Sequence, residues 1–120
     1  MAVPTNKSGY ASPGVIIWRL TDTDGTGLPM NRSLAPDKTV QVGGTFNSGT
    51  VTIQGTNDDP KKDIPTQWDT LHNPLGTVLT FTTARIDAIM ENPLFIRAIM
   101  TGTVGAAAVK VTICNKGFNA

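Results

Sequence analysis

Apolar and polar side chains alternate most clearly between residues 39 and 56. In Thr39-Val40-Gln41-Val42-Gly43-Gly44-Thr45-Phe46, the side chains of Val40, Val42 and Phe46 share a face. In Thr50-Val51-Thr52-Ile53-Gln54-Gly55-Thr56, Val51 and Ile53 point one way and Thr50, Thr52 and Gln54 the other. A period of two is the side-chain geometry of a strand. Asn47-Ser48-Gly49 between the two runs is turn chemistry. Together they predict a β-hairpin whose Thr rows form a solvated sheet face. Val109, Val111 and Ile113 alternate with Lys110, Thr112 and Cys114 in a final strand. Leu79 and Phe81 point inward from a strand over 77–83, and 64–71 (IPTQWDTL) reads as a short strand around Trp68. In 84–91, Ile86, Ile89 and Met90 fit one helical turn and Ile86 and Ala88 a short strand; the run is read as a short strand or turn.

Two further strands, 15–20 and 94–101, carry apolar residues on both faces. In the first, Val15 and Ile17 lie opposite Ile16, Trp18 and Leu20. Such a strand is buried on both sides, or one side meets another chain. Residues 21–38 form a long loop rich in Gly, Pro, Asp and Asn, within which Leu28, Met30 and Leu34 need cover. Residues 1–13 contain Pro4, Gly9 and Pro13 and no periodicity. They read as an irregular arm, either frayed or ordered by a neighbouring subunit. About eight short strands with turns every 8–12 residues predict an all-β chain. Its architecture is an antiparallel β-sandwich or jelly roll with an extended N-terminal arm, a barrel being the structural alternative. The arm is 1–13 and the single domain 14–120. A domain this long, with a radius of gyration of roughly 13–14 Å, holds one core between two sheets and has little room for a deep cleft.

Composition narrows the function. Charged residues are 16% of the 120, well below the roughly 25% of soluble domains, and the net charge is +1. There is no basic excess to neutralise phosphates, so nucleic acid is not an expected partner. No apolar run reaches 18 residues, and the longest basic cluster is Lys61-Lys62, so no membrane partner is expected either. The polar stretch 1–14 shows no secretory signal. Thr occurs 18 times, Glu once, a mix that favours strands over long helices.

Candidate chemistry is sparse. Asp22-Thr23-Asp24-Gly25-Thr26-Gly27 has the look of a calcium loop, but its twelfth position is Ser33 rather than a bidentate Glu, so it reads as an Asp/Gly turn. His72, the only histidine, sits in a turn before Asn73-Pro74. The single Cys114 excludes an internal disulfide and a Cys-based zinc site, and reads as a structural free thiol. Asp58, Asp59 and Asp63 could in principle form an acid pair, but their Pro-bounded loop lacks apolar neighbours to raise a pKa, so a solvated turn is expected. Trp18, Trp68, Tyr10 and Phe118 could stack on sugars, with a core role expected for Trp68. The sequons at Asn6 and Asn31 read as chance matches. Arg97, inside an apolar strand, either packs its stem with its head in solvent or pairs with Asp87, Glu91 or another chain. No enzyme activity, metal or cofactor is expected.

The succession from Val40 to Ile113 resembles small tailed-bacteriophage proteins that decorate or cement the capsid. It is carried by Val51-Thr52-Ile53-Gln54-Gly55-Thr56-Asn57-Asp58, Trp68-Asp69-Thr70-Leu71, Leu79-Thr80-Phe81-Thr82, Asn92-Pro93-Leu94-Phe95-Ile96-Arg97 and the Val109-to-Ile113 strand. The likeness covers about two thirds of the chain and is one of strands and turns. The 58–65 loop is longer than that pattern has. Similar runs occur in phage fibre and receptor-binding modules and in sugar-binding jelly rolls. The resemblance implies a jelly-roll or related sandwich on the outer surface of the virion, present in the host cytoplasm during assembly. Its expected partners are the major capsid protein and further copies of itself, as a dimer or trimer. The residues expected at interfaces are Ile16, Trp18, Leu28, Met30, Leu34, Phe95, Arg97 and Ile99. A phage fibre, receptor-binding or carbohydrate-binding module is the alternative.

Overall fold

The β-branched, Thr-rich runs fold as strands throughout a computed structural model that describes residues 8–12, 14–31 and 37–115. In chain order these are β1 (Ser8–Ser12), β2 (Val15–Thr21), β3 (Met30–Asn31), β4 (Lys38–Thr45), β5 (Thr50–Thr56), β6 (Asp69–Thr70), β7 (Thr80–Phe81), β8 (Arg85–Ile89), β9 (Phe95–Thr101) and β10 (Ala108–Asn115). Among the described residues there is no helix. The radius of gyration is 13.4 Å.

The strands form two antiparallel sheets. Sheet A has the order β1-β2-β10-β4-β8; sheet B has the order β3-β9-β5-β6, with β7 also paired to β5. The pairing is nested: β2 joins β10, β3 joins β9, β4 joins β8, and β5 joins β6 and β7. A long hairpin rolled onto itself in this way is the wrap of a jelly roll. The all-β sandwich expected from the alternation is the fold observed.

Alternation decides what is buried. Ile16, Trp18 and Leu20 of β2, Val40 and Val42 of β4, and Val109, Val111 and Ile113 of β10 line the inner face of sheet A. Val51 and Ile53 of β5, Ile96, Ala98 and Met100 of β9, and Leu79 and Phe81 meet them from sheet B. Each such aliphatic side chain contributes about 1.5–3 kcal/mol when fully buried.

The hairpin expected over 39–56 is corrected by the topology. β4 lies in sheet A and β5 in sheet B. The turn itself is tight: Gly49 N donates to Phe46 O at 2.8 Å, and Asn47 and Ser48 have φ of 46° and 67°. The chain uses it to cross between layers, so Val40 and Val42 face Val51 and Ile53 across the core instead of lying beside them. A two-residue period says which side chains point inward and is silent on which sheet receives the strand.

Other readings change too: the strand expected over 77–83 is only Thr80–Phe81, and the loop expected over 21–38 contains the short strand Met30–Asn31. Residues 8–12, expected in an irregular arm, form β1 and pair with β2, with Gly9 opposite Ile17; residues 1–7 and 13 lie outside the described residues. The strand expected over 64–71 shrinks to Asp69–Thr70, because 58–66 is folded on its own turn bonds. The first half of the 21–38 loop is covered by its own domain. Gly27 N donates to Ala98 O at 2.8 Å and Met100 N to Gly25 O at 2.7 Å, and the indole N–H of Trp18 donates to Leu28 O at 2.9 Å. A Cβ on Gly27 would collide with the Trp18 indole and stand 2.7 Å from Ala98 O, so glycine here lets the loop lie flat on the tryptophan.

Candidate binding face

The inner faces are consumed by the core, which leaves the outer faces and edges for recognition, and the outer face of sheet B carries the most apolar groove among the described residues. On β9 the inward residues Ile96, Ala98 and Met100 alternate with half-buried Phe95, Arg97 and Ile99, which point outward. On β5, opposite them, stand Thr56, Gln54 and Thr52. Arg97 is the centre of this face. Its guanidinium carbon lies 4.1 Å from the ring centre of Trp68, and its Nε donates to Gln54 Oε1 at 2.9 Å. Partial burial lowers the Arg97 pKa from its ordinary value, and guanidinium still stays charged. A cation stacked on an aromatic ring contributes about 0.5–1 kcal/mol at such a half-open site.

Beside this stack runs an apolar groove of about 650 Å³. Leu28, Pro29, Met30 and Phe95 form one side, and Asp59, Pro60 and Lys61 the other. Leu28 is 48% exposed, whereas Met30 divides its side chain between the groove and the core. The groove wall at 58–61 is set by turn bonds: Lys61 N donates to Asp59 Oδ1 at 2.9 Å and Asp59 N to Asp63 Oδ2 at 2.7 Å. Gln67 N donates to Asp58 Oδ2 at 2.9 Å. The three aspartates thus build a solvated loop, as read from the sequence.

Of the residues expected at an interface, Phe95, Arg97 and Ile99 share this face, with Leu28 and Met30 at its edge. Ile16 and Trp18 do not belong there. Both are fully buried in the chain's own core, because they lie on the inner face of β2, whereas Val15 and Ile17 on its other face are half-buried. Leu34 lies outside the described residues, as does Phe118. Trp68, expected in the core, is half-buried on the outer face. The ion pair considered for Arg97 is not formed with Asp87 or Glu91: Asp87 accepts from Arg85 at 3.4 Å and Glu91 from His72.

The only histidine and the only glutamate of the chain meet at the opposite edge of sheet B. His72 Nδ1 and Glu91 Oε2 are 2.6 Å apart, and the His72 backbone N–H donates to Glu91 Oε1 at 2.7 Å. Burial pushes the Glu91 carboxyl up, but the His72 backbone and ring bonds outweigh it and hold the pKa below its ordinary value. Met90 N donates to His72 O at 2.9 Å, so the contact ties the 71–78 loop to the β8–β9 connection. No hydroxyl or thiol stands in hydrogen-bond contact with His72 among the described residues; Cys114 is exposed on sheet A. The sequence signal for this pair was the rarity of both residues; their 19-residue separation hid it. A second contact missed in the sequence is buried Lys38, whose ammonium donates to Asn92 Oδ1.

The Asp22–Gly27 segment is a turn: Thr21 and Asp24 exchange backbone bonds, and Asp22 Oδ1 accepts from Ala107 N at 3.2 Å. Among the described residues, no three His, Cys, Asp or Glu side chains are grouped as a metal site.

Fold and face together define a small jelly-roll β-sandwich with an apolar, arginine-stacked outer sheet. No protein-family model matches the chain, and neither the curated proteins nor the solved structures searched give a match.

Proposed function

We propose that this chain is a non-catalytic structural protein of a tailed-phage virion, a decoration or cement protein that self-associates and binds the major capsid protein on the outside of the head. The observation that supports it most is the half-exposed apolar surface of Leu28, Pro29, Met30 and Phe95 around the sheet B groove, on a chain with few charges. A face of this kind marks a docking surface. The resemblance of residues 40–113 to capsid-decorating proteins supplies the partner. The mechanism is mechanical: the sandwich covers the joint between neighbouring shell subunits and stabilises the assembled state by binding it in preference to free subunits.

The test is co-sedimentation with empty heads that lack this protein. Phe95→Asp and Leu28→Asp, both on the groove, should weaken binding by roughly tenfold to a hundredfold, the equivalent of one lost apolar anchor, while the unfolding midpoint changes little. Undiminished binding by both variants would overturn the assignment of this face.

A carbohydrate- or receptor-binding role draws support from the outward position of Trp68. Glycan-array binding lost in Trp68→Ala, with the fold intact, would favour that role over cementing.

A further inference from the structure

Strand β8 is one of the two outermost strands of sheet A, β1 being the other, and it is paired on one side only, to β4. Its free side presents a row of backbone donors and acceptors that another strand can take up. β3, β6 and β7 are two residues long and offer little such surface; β1 and β8 have five each, and of these two only β8 contains charged residues. Toward its far end the edge is occupied, because Ala88 N is bonded to Asp87 Oδ1 at 2.8 Å and Met90 N to His72 O. The open segment is therefore Arg85–Asp87, centred on Ile86.

The side chains of that segment are self-complementary. Ile86 stands opposite Gln41 on the outer face and is 63% exposed. Arg85 and Asp87 flank it on the other side of the strand. In an antiparallel pair with a second copy, a two-fold axis through Ile86 places Ile86 against its own mate. It then sets Arg85 opposite the mate's Asp87, and Asp87 opposite the mate's Arg85. Ala88 meets the mate's Ala84, small against small. An axis through Asp87 would set two aspartates directly opposite each other, and an axis through Ala88 would set Arg85 opposite Glu91, whose carboxylate is already held by His72. Opposite charges facing across strands stabilise the pair and like charges oppose it, so the charge pattern selects one register. In the single chain Arg85 and Asp87 satisfy each other only at 3.4 Å, with both partly exposed. Asp87 also accepts from Ala88 N at 2.8 Å and from Asn73 Nδ2 at 3.3 Å, and Arg85 lies 4.6 Å over the Phe81 ring, so pairing with a mate exchanges these contacts for the reciprocal charges.

We propose that the β8 edge is a self-association surface, through which two copies join sheet A into one continuous sheet about a two-fold axis at Ile86. The occupant is a second copy of this chain, because the reciprocal Arg85–Asp87 pattern penalises an arbitrary strand. The proposal supplies the self-association in the proposed function and rests on that reading only there; the shell-binding groove lies on the other sheet. A single strand-to-strand contact is a small interface, and copies held together on a shell would meet at high effective concentration.

The test is sedimentation velocity of the full chain over a concentration series. The wild type should form a dimer that Ile86→Lys dissociates. Arg85→Asp alone should weaken it by roughly tenfold to a hundredfold, and Arg85→Asp combined with Asp87→Arg should restore it. Circular dichroism checks that each variant folds; Ile86→Lys, at an exposed position, carries the test if a charge reversal does not fold. A wild type that stays monomeric to about 1 mM, or an oligomer that survives Ile86→Lys, would overturn the proposal. Dissociation by Ile86→Lys without rescue in the double charge reversal would overturn the register. Loss of dimer with shell binding retained separates this surface from the groove, and loss of shell binding with the dimer retained leaves the β8 edge standing.

Discussion

Two tryptophans show what one residue can and cannot disclose. Trp18 sits in a run with apolar neighbours on both sides, and Trp68 in a short mixed run. The sequence suggested an interface for the first and the core for the second; Trp18 is in the core and Trp68 is half-buried on an outer face. Trp18 is fully buried with its N–H spent on Leu28 O, whereas Trp68 lies under Arg97. The partner that decides the matter is 29 residues away for Trp68, beyond the reach of local pattern. The consequence is measurable. Trp18→Ala should cost about 3–5 kcal/mol in chemical denaturation followed by circular dichroism, whereas Trp68→Ala should cost about 1 kcal/mol or less. Equal losses would mean the two indoles do not differ in burial.

Glu91 carries a pH prediction at the same scale. Its folded pKa is depressed, burial being outweighed by the His72 backbone and ring bonds. A depressed carboxyl stabilises the fold above its unfolded pKa, and that contribution fades as pH falls through the folded value. Glu91→Gln should therefore flatten the acid limb of the stability profile while leaving the slope near neutrality unchanged. Both side chains are more than a third exposed, so the effect is screened and modest. An acid limb identical in both proteins would remove Glu91 from the account.

At the scale of elements, the period of two and the apolar runs located the long strands well. Lys38–Thr45, Thr50–Thr56 and Ala108–Asn115 stand where the alternation put them, because a half-buried strand must alternate, and Val15–Thr21 and Phe95–Thr101 stand where the continuous apolar runs put them. What alternation lacks is a partner. The 46–49 turn has hairpin chemistry and nevertheless sends its two strands to different sheets. β1, which has no apolar alternation, forms because β2 offers it an edge. Ser48 holds φ = 67°, a conformation that costs a side-chain-bearing residue about 1 kcal/mol and glycine nothing. Ser48→Gly creates Asn-Gly in a turn with two positive φ values and should raise stability by up to about 1 kcal/mol in urea titration. A loss of stability would mean that the unfolded-state entropy of glycine outweighs the relief of the turn.

At the scale of the whole molecule, the nested pairing of β2 with β10 through β5 with β7 makes the chain one closed wrap around a single core. That leaves its two outer faces and its sheet edges for other molecules. The few charges and many Thr residues were legible in the sequence as a sheet surface. The binding face was legible only in pieces: Phe95, Arg97 and Ile99 follow from β9 alternation, but Pro29, Pro60 and Trp68 reach the same face from loops 30 residues apart. Only the fold brings them together. The central claim is that this face binds an assembled head. The most direct measurement is the disassembly temperature of empty heads titrated with the purified protein. It should rise and then saturate as sites fill; heads whose disassembly temperature is unchanged at saturating protein would contradict the account.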